Sequence, residues 1–266
     1  MHYKPWTHAI MLLLLCSSFS AKGFVLIISL YNEKNPHRIG EFVTCLETNL
    51  QHPLIEHIHV LHDTAKDEGT CILINYLKSR PITLTTITGR PSFGQCFELA
   101  NSVYPDKNII ISNADIYFND TLNALQEVNF DNLFVALTRW EVQKDFTLKV
   151  RGDHLGISDD ISQDTWIFKT PIQKFEYDHF LLGTIACDAG IAAQAARVGM
   201  KIINPCYTVQ GCHLHLSEIH TWEEYNHYQD MPMACTTGST LDQALKSSDP
   251  MTYWVKVEPN SKWHRI

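Results

Sequence analysis

The chain has 266 residues, 45% of them hydrophobic and 19% charged, with a formal net charge of -8 at pH 7. That length and balance fit one large α/β domain with a sizeable core and exclude a disordered or low-complexity chain. Acidic residues are in excess and no basic cluster is present, which excludes a nucleic-acid partner, since binding a phosphate backbone rests on Lys and Arg; the balance suits a divalent cation better.

The first segment, MHYKPWTHAIMLLLLCSSFSAKG, carries one Lys, an apolar run from Ala9 to Cys16, and then small residues. This is the layout of a secretory signal peptide over residues 1–21, and the run is too short for a stable membrane span. A secreted, secretory-pathway or periplasmic location is the expectation; without a true signal the chain would be cytoplasmic. Beyond Cys16, the cysteines Cys45, Cys71, Cys96, Cys187, Cys206, Cys212 and Cys235 include no CxxC pair, which argues against a zinc cluster. Export would permit disulfides, with at least one thiol left free or paired between chains. Cys45, Cys71 and Cys96 fall on predicted helices and read as small core residues.

GFVLIISL, Gly23 to Leu30, is a continuous apolar run, as in a strand of a parallel sheet covered on both faces. Ile39, Phe42, Val43, Leu46 and Leu50 then recur at helical spacing. A second strand is predicted over Glu56 to Asp63, a helix over DEGTCILINYLKS, a third strand from Ile82, and a helix over SFGQCFELANSVY. A fourth strand, IIIS, follows at once, and Asp115 falls where it reaches the open end of the sheet. Strands alternating with helices in this way predict βαβ units and a mostly parallel sheet flanked by helices.

In such sheets ligands sit outside the carboxyl ends of the strands. That rule selects Tyr31, Asn32 and Glu33, then His62 and Asp63, then Gly89 and Arg90, then Asn113 to Asp115. Asp115 stands out, because a carboxylate among apolar residues costs several kcal/mol, of order 1–5, unless it is paired or holds a cation. Hard oxygen ligands suit Mg or Mn. Two ordinary roles compete with that one: capping the helix DTLNAL, or pairing with Arg90.

Further strands are predicted at LFVALTRWEV and within SQDTWIFKTP. CDAGIAAQAARVGMK reads as a helix with Asp188 near its N-cap and a face of small residues, Ala189, Ala192, Ala193 and Ala196. KIINPCYTVQGCHLHLS supplies a last strand, on which His213 and His215 alternate and so share a face. The sequon at Asn119 lies close to Asp115 and supports no inference about glycosylation. Residues 226–266 read as an irregular C-terminal extension that lies over the mouth of the site.

The succession SNADIYF, LTRWE, SQDTWIF, GTIACDAGIA and NPCYTVQGCHLHLS resembles the GT-A type glycosyltransferases, the nucleotide-diphospho-sugar transferase fold. The resemblance covers roughly Phe24 to Trp222 and implies a GT-A, Rossmann-like single domain over residues 23–225. It implies that Asp115 is the metal ligand of an Asp-x-Asp motif whose first acid is here Asn113, with His213 or His215 as a further ligand and Mg or Mn as the cofactor. It implies nucleotide-sugar contacts from Asn32, Glu33, Asp63, Arg90 and Asn113. Asp188 would be the carboxylate that takes the acceptor proton, flanked by Gly183 and Gly190, which let backbone approach the donor sugar. Arg139, Trp140, Asp164 and Trp166 would face a glycan or small-molecule acceptor. A non-catalytic carbohydrate- or nucleotide-binding protein on the same scaffold is the alternative. A nucleotidyltransferase is a third, but YNEKNPHR lacks the glycines expected of its first loop.

Overall fold

The computed structural model describes residues 23–65, 72–151, 162–217, 231, 233–248, 252–257 and 263–265. The proposed signal peptide lies outside the described residues, as does Cys71.

The first half is built as its hydrophobic pattern dictates. Strand β1 (Phe24–Tyr31) is buried along almost its whole length. Helix α1 (Pro36–Gln51) begins where the Asn35 side chain accepts from the amides of His37 and Arg38, with Pro36 in its first turn, where a missing N–H costs nothing. Then come β2 (Ile55–Asp63), α2 (Ile72–Lys78), β3 (Thr83–Ile87), α3 (Phe93–Val103), which starts in a Ser92–Gln95 capping box, and β4 (Asn108–Asn113). The order β3-β2-β1-β4 is fully parallel. In register, Tyr31 lies beside Asp63, Asp63 beside Ile87, and Ser29 beside Asn113, so the carboxyl ends of all four strands meet at one edge.

The stretch IIISNADIYF holds two strands, and the expected fourth strand ends just before Asp115. β4 stops at Asn113, Ala114 and Asp115 make a turn, and β5 (Ile116–Phe118) leaves in a new direction to pair elsewhere. Asn119 caps the 3-10 turn Asp120–Leu125 that follows, so Asp115 has no capping role there. The sequon asparagine is itself engaged, its amide donating to Gln210 while its oxygen accepts from Thr121.

In the second half β6 (Leu133–Val142) forms a hairpin with β7 (Leu148–Val150), and β8 (Gln163–Lys169) runs antiparallel between β4 and β6. After α4 (Cys187–Arg197), β9 (Lys201–Ile203) and β10 (Gly211–His213) both add to β6 in parallel, and β10 also takes β5 as an antiparallel neighbour. The result is a mixed ten-stranded sheet with apolar clusters on its two faces. Six cysteines, Cys45, Cys96, Cys187, Cys206, Cys212 and Cys235, are buried.

The described part of residues 226–266 carries regular structure. β11 (Met233–Thr236), β12 (Thr252–Val257) and β13 (Trp263–Arg265) form an antiparallel sheet, with α5 (Leu241–Lys246) between the first two. β11 packs against α4. Buried Asn204 ties this unit to the main sheet: it donates to Thr138 Oγ1 and to the Thr236 carbonyl, and accepts from the Thr138 amide. Among the described residues no helix is long and apolar enough to cross a membrane.

Candidate functional site

Strand β10 assembles the site. Its parallel register sets His213 beside Glu141 on β6, and its antiparallel register sets the same residue beside Ile116 on β5, next to Asp115. The Leu214 amide donates to the Asp115 carbonyl at 2.8 Å, closing the turn onto the strand end. His213 Nε2 lies 3.1 Å from Asp115 Oδ2, and its Nδ1 lies 2.6 Å from Glu141 Oε2.

Asp115 is 7% exposed. Its Oδ2 takes both His213 and the guanidinium of Arg38, which reaches across from the first turn of α1. Its Oδ1 is buried with no hydrogen-bond partner, and a buried acceptor left unmet costs of order 1–3 kcal/mol. One carboxylate oxygen of Asp115 and one ring nitrogen from each of His213 and His215 lie within 4.8 Å of one another. A divalent cation therefore fits these residues: two imidazoles, one carboxylate, and an oxygen that lacks a partner.

The electrostatics are those of tightly coupled charges. Burial pushes the Asp115 carboxyl up, but His213 and Arg38 pull it down further, well below the usual carboxylate range. Burial lowers His213, and Asp115 with Glu141 more than offsets this, pushing it up to about 9. Glu141, raised by burial, is brought down to about 2 by His213 and Arg139.

Polar contacts extend from this centre in two directions. On one side Arg38 bonds Glu41 at 2.7 Å, and Glu41 accepts from the Ser217 amide at 2.6 Å, so α1 holds the segment that follows His215. On the other, Arg139 contacts Glu141 at 2.9 Å and Asp164 at 2.5 Å. Beyond Asp164, the Gln163 amide donates to Asp188 Oδ2 at 3.2 Å.

Asp188 sits in the first turn of α4; the N-cap is Ala186, in the left-handed region at φ 65 and with no side-chain cap bond. Burial, with a contribution from Asp164, outweighs the amides of Ala189 and Gln163 and lifts Asp188 to about 6. Gly190 is explained by packing, because a Cβ there would lie 2.3 Å from the Phe180 ring. Gly183 is different: at φ +72 its backbone comes against Asn113 and Arg90, whose Oδ1 and Nη1 would be 3.0 and 3.2 Å from a Cβ. Arg90 donates to the carbonyls of Leu182 and Gly183 at 3.0 and 3.2 Å, and so does not pair with Asp115.

Asn32 is half-buried in the loop after β1. The Glu33 carboxylate is taken by the amides of Lys34 and Asn35 and by the Tyr31 hydroxyl. Asp63 accepts from the amides of Ala65 and Gly89. Both carboxylates shape the edge on which a ligand would rest.

Of the four residues expected to face an acceptor, Trp166 does not. Trp166 is wholly buried and meets Phe93 edge-on with ring centroids 4.7 Å apart, because β8 lies between two strands with apolar residues above and below it. Trp140 is half-buried, its indole donating to the Cys206 carbonyl at 2.8 Å. Arg139 and Asp164 are paired with each other rather than presented outward. An open groove of about 950 Å³ does lie beside the cluster, between the β6–β7 hairpin and His215, with Glu141, Lys144 and Lys149 on its wall. Sequence reasoning missed Arg38, Glu41 and Glu141, although Arg38 ends the loop YNEKNPHR and Glu141 lies inside LTRWE, both segments already singled out.

No protein-family model matches the chain, and no curated protein matches it in sequence. In structure the chain is similar to a mannosyltransferase from Pyrobaculum calidifontis solved in complex with GDP-Man and Mn2+. The identity is 16% and the TM-score 0.48, over 75% of this chain and 58% of that one. It is similar also to residues 1–349 of TarS from S. aureus, at 16% identity and a TM-score of 0.43, over 74% and 58% of the two chains. A third similar structure is the inositol-1-phosphate CTP transferase from T. maritima, at 12% identity and a TM-score of 0.45, over 76% and 93%. The chain thus spans less than two thirds of the mannosyltransferase and of the TarS fragment.

Proposed function

We propose that this chain transfers a sugar from a nucleotide-diphospho-sugar to an acceptor hydroxyl, assisted by a divalent cation. The observation that carries this reading is the grouping of Asp115, His213 and His215 at the carboxyl edge of the sheet, with one buried oxygen of Asp115 unpartnered. A cation held there would offset the charge of the departing diphosphate.

The donor would lie along the edge formed by Asn32, Glu33 and Asp63, with Arg90, Asn113 and the Gly183 backbone near its phosphates and sugar. Asp188 would take the proton of the acceptor hydroxyl as that oxygen attacks the anomeric carbon and the bond to the diphosphate breaks. A carboxyl lifted to about 6 is still mostly ionised at neutral pH and is a stronger base than an ordinary Asp. The groove beside His215 is the space we assign to the acceptor.

A non-catalytic binder on the same scaffold is the second reading, favoured by one contact: Arg38 already supplies a cation to Asp115. Incubating the chain with a panel of nucleotide sugars and Mn, and measuring release of nucleoside diphosphate, separates the two. Turnover that is lost on chelation and in Asp188→Asn supports the transferase; binding without release, for every donor, supports the binder.

A further inference from the structure

Glu141 stands in a segment singled out by its sequence, yet beyond lining the acceptor groove it has no role in the transfer reaction as proposed. Its two oxygens are divided. Oε1 is held by Arg139 Nε at 2.9 Å and by Arg151 Nη1 at 3.1 Å, while Oε2 faces His213 Nδ1 at 2.6 Å. The backbone fixes the same pairing, since Glu141 and His213 are register partners across β6 and β10.

We propose that Glu141 is a positioning residue for the metal centre: anchored by two arginines, it holds the Nδ1–H of His213 and so aims Nε2 of that ring at the place beside Asp115. This rests on the reading that Asp115, His213 and His215 hold the cation. The physical reason is that a ligating imidazole has one nitrogen for the metal and one proton on the other, and a carboxylate on that N–H settles both tautomer and ring angle. The two arginines matter because an unanchored Glu would lose side-chain freedom on making this bond. Asp115 does not serve in its place, because its Oδ2 meets the ring at Nε2 rather than at Nδ1.

The test uses the full chain and two variants. Glu141→Gln keeps the size and an acceptor oxygen but not the charge; Glu141→Ala removes both. Mn2+ binding is followed by electron paramagnetic resonance, and Co2+ is then added to saturation and its visible spectrum recorded. Loss of an outer-shell partner of this kind weakens metal binding by roughly 10–100-fold. We expect a loss near the lower figure for Glu141→Gln and a larger one for Glu141→Ala, with a changed Co2+ spectrum in both. A merely structural Glu141 would lower thermal stability but leave the saturated Co2+ spectrum as in the wild type, and that result overturns the proposal. If Glu141→Ala fails to fold, Glu141→Gln alone decides. Wild-type chain that binds no Mn2+ would overturn the metal site itself, a different failure from variants that bind as well as the wild type.

Discussion

Arg38 places its guanidinium on the carboxylate of Asp115, 77 residues further along the chain, and both side chains are buried. The pair fastens α1 to the turn between β4 and β5, the turn from which the proposed site is built. It also fixes which carboxylate oxygen remains without a partner.

Removing one member of a buried pair strands the other charge. We expect Arg38→Met to destabilise the fold by about 3–5 kcal/mol, read as a lower midpoint in urea unfolding. A change under about 1 kcal/mol would mean that water screens the pair as it does at a surface.

Asp188 gives a pH dependence with a definite sign. Its folded pKa, about 6, is above the 3.8 of a free Asp, so the fold favours the protonated form. Asp188 therefore costs stability above about pH 6, and that cost is relieved progressively as pH falls from there toward 3.8. Activity should run oppositely, with kcat/KM falling below about pH 6 as the base is protonated. Asp188→Asn is expected to lower turnover by roughly 10²–10⁴-fold while leaving the chain as stable or more so at pH 7. An unchanged acid limb in a variant that still turns over would remove Asp188 from the role of base.

Trp166 belongs to the core, not to an acceptor surface. Trp166→Ala is expected to cost about 3–5 kcal/mol in unfolding free energy. The milder Trp166→Phe should leave nucleotide affinity unchanged. A Trp166→Phe chain of wild-type stability with altered acceptor KM would reverse the assignment.

How much of this could be read from the residues depends on whether the cause is local. The run Phe24 to Leu30 and the helical spacing from Ile39 to Leu50 are local signals, and the alternation they begin was sufficient for the parallel half of the sheet. The end of β4 before Asp115 was legible, but a separate strand at IYF was not, since only pairing with β10 shows where that apolar run belongs. Asp115 with His213 could be named from chemistry, although 98 residues separate them. Arg38 could not. An arginine in the first turn of a helix reads as a solvated residue, and its burial is produced by the packing of α1 against β5. Trp166 failed for the converse reason: its flanking polar residues, Gln163 to Thr165, look exposed in sequence but are buried between neighbouring strands.

The central claim is that Asp115, with the two histidines, makes nucleotide binding depend on a divalent cation. It is tested most directly by thermal unfolding of the purified chain with a panel of nucleoside diphosphates, with and without Mn2+. Each midpoint shift is compared with that of Asp115→Ala relative to its own unliganded midpoint. A ligand at a hundred times its Kd adds about 2.7 kcal/mol of stability. We predict a shift of that order for at least one nucleoside diphosphate, present only with Mn2+ and absent in Asp115→Ala. No response to any nucleotide, or an equal response in Asp115→Ala, would contradict the account.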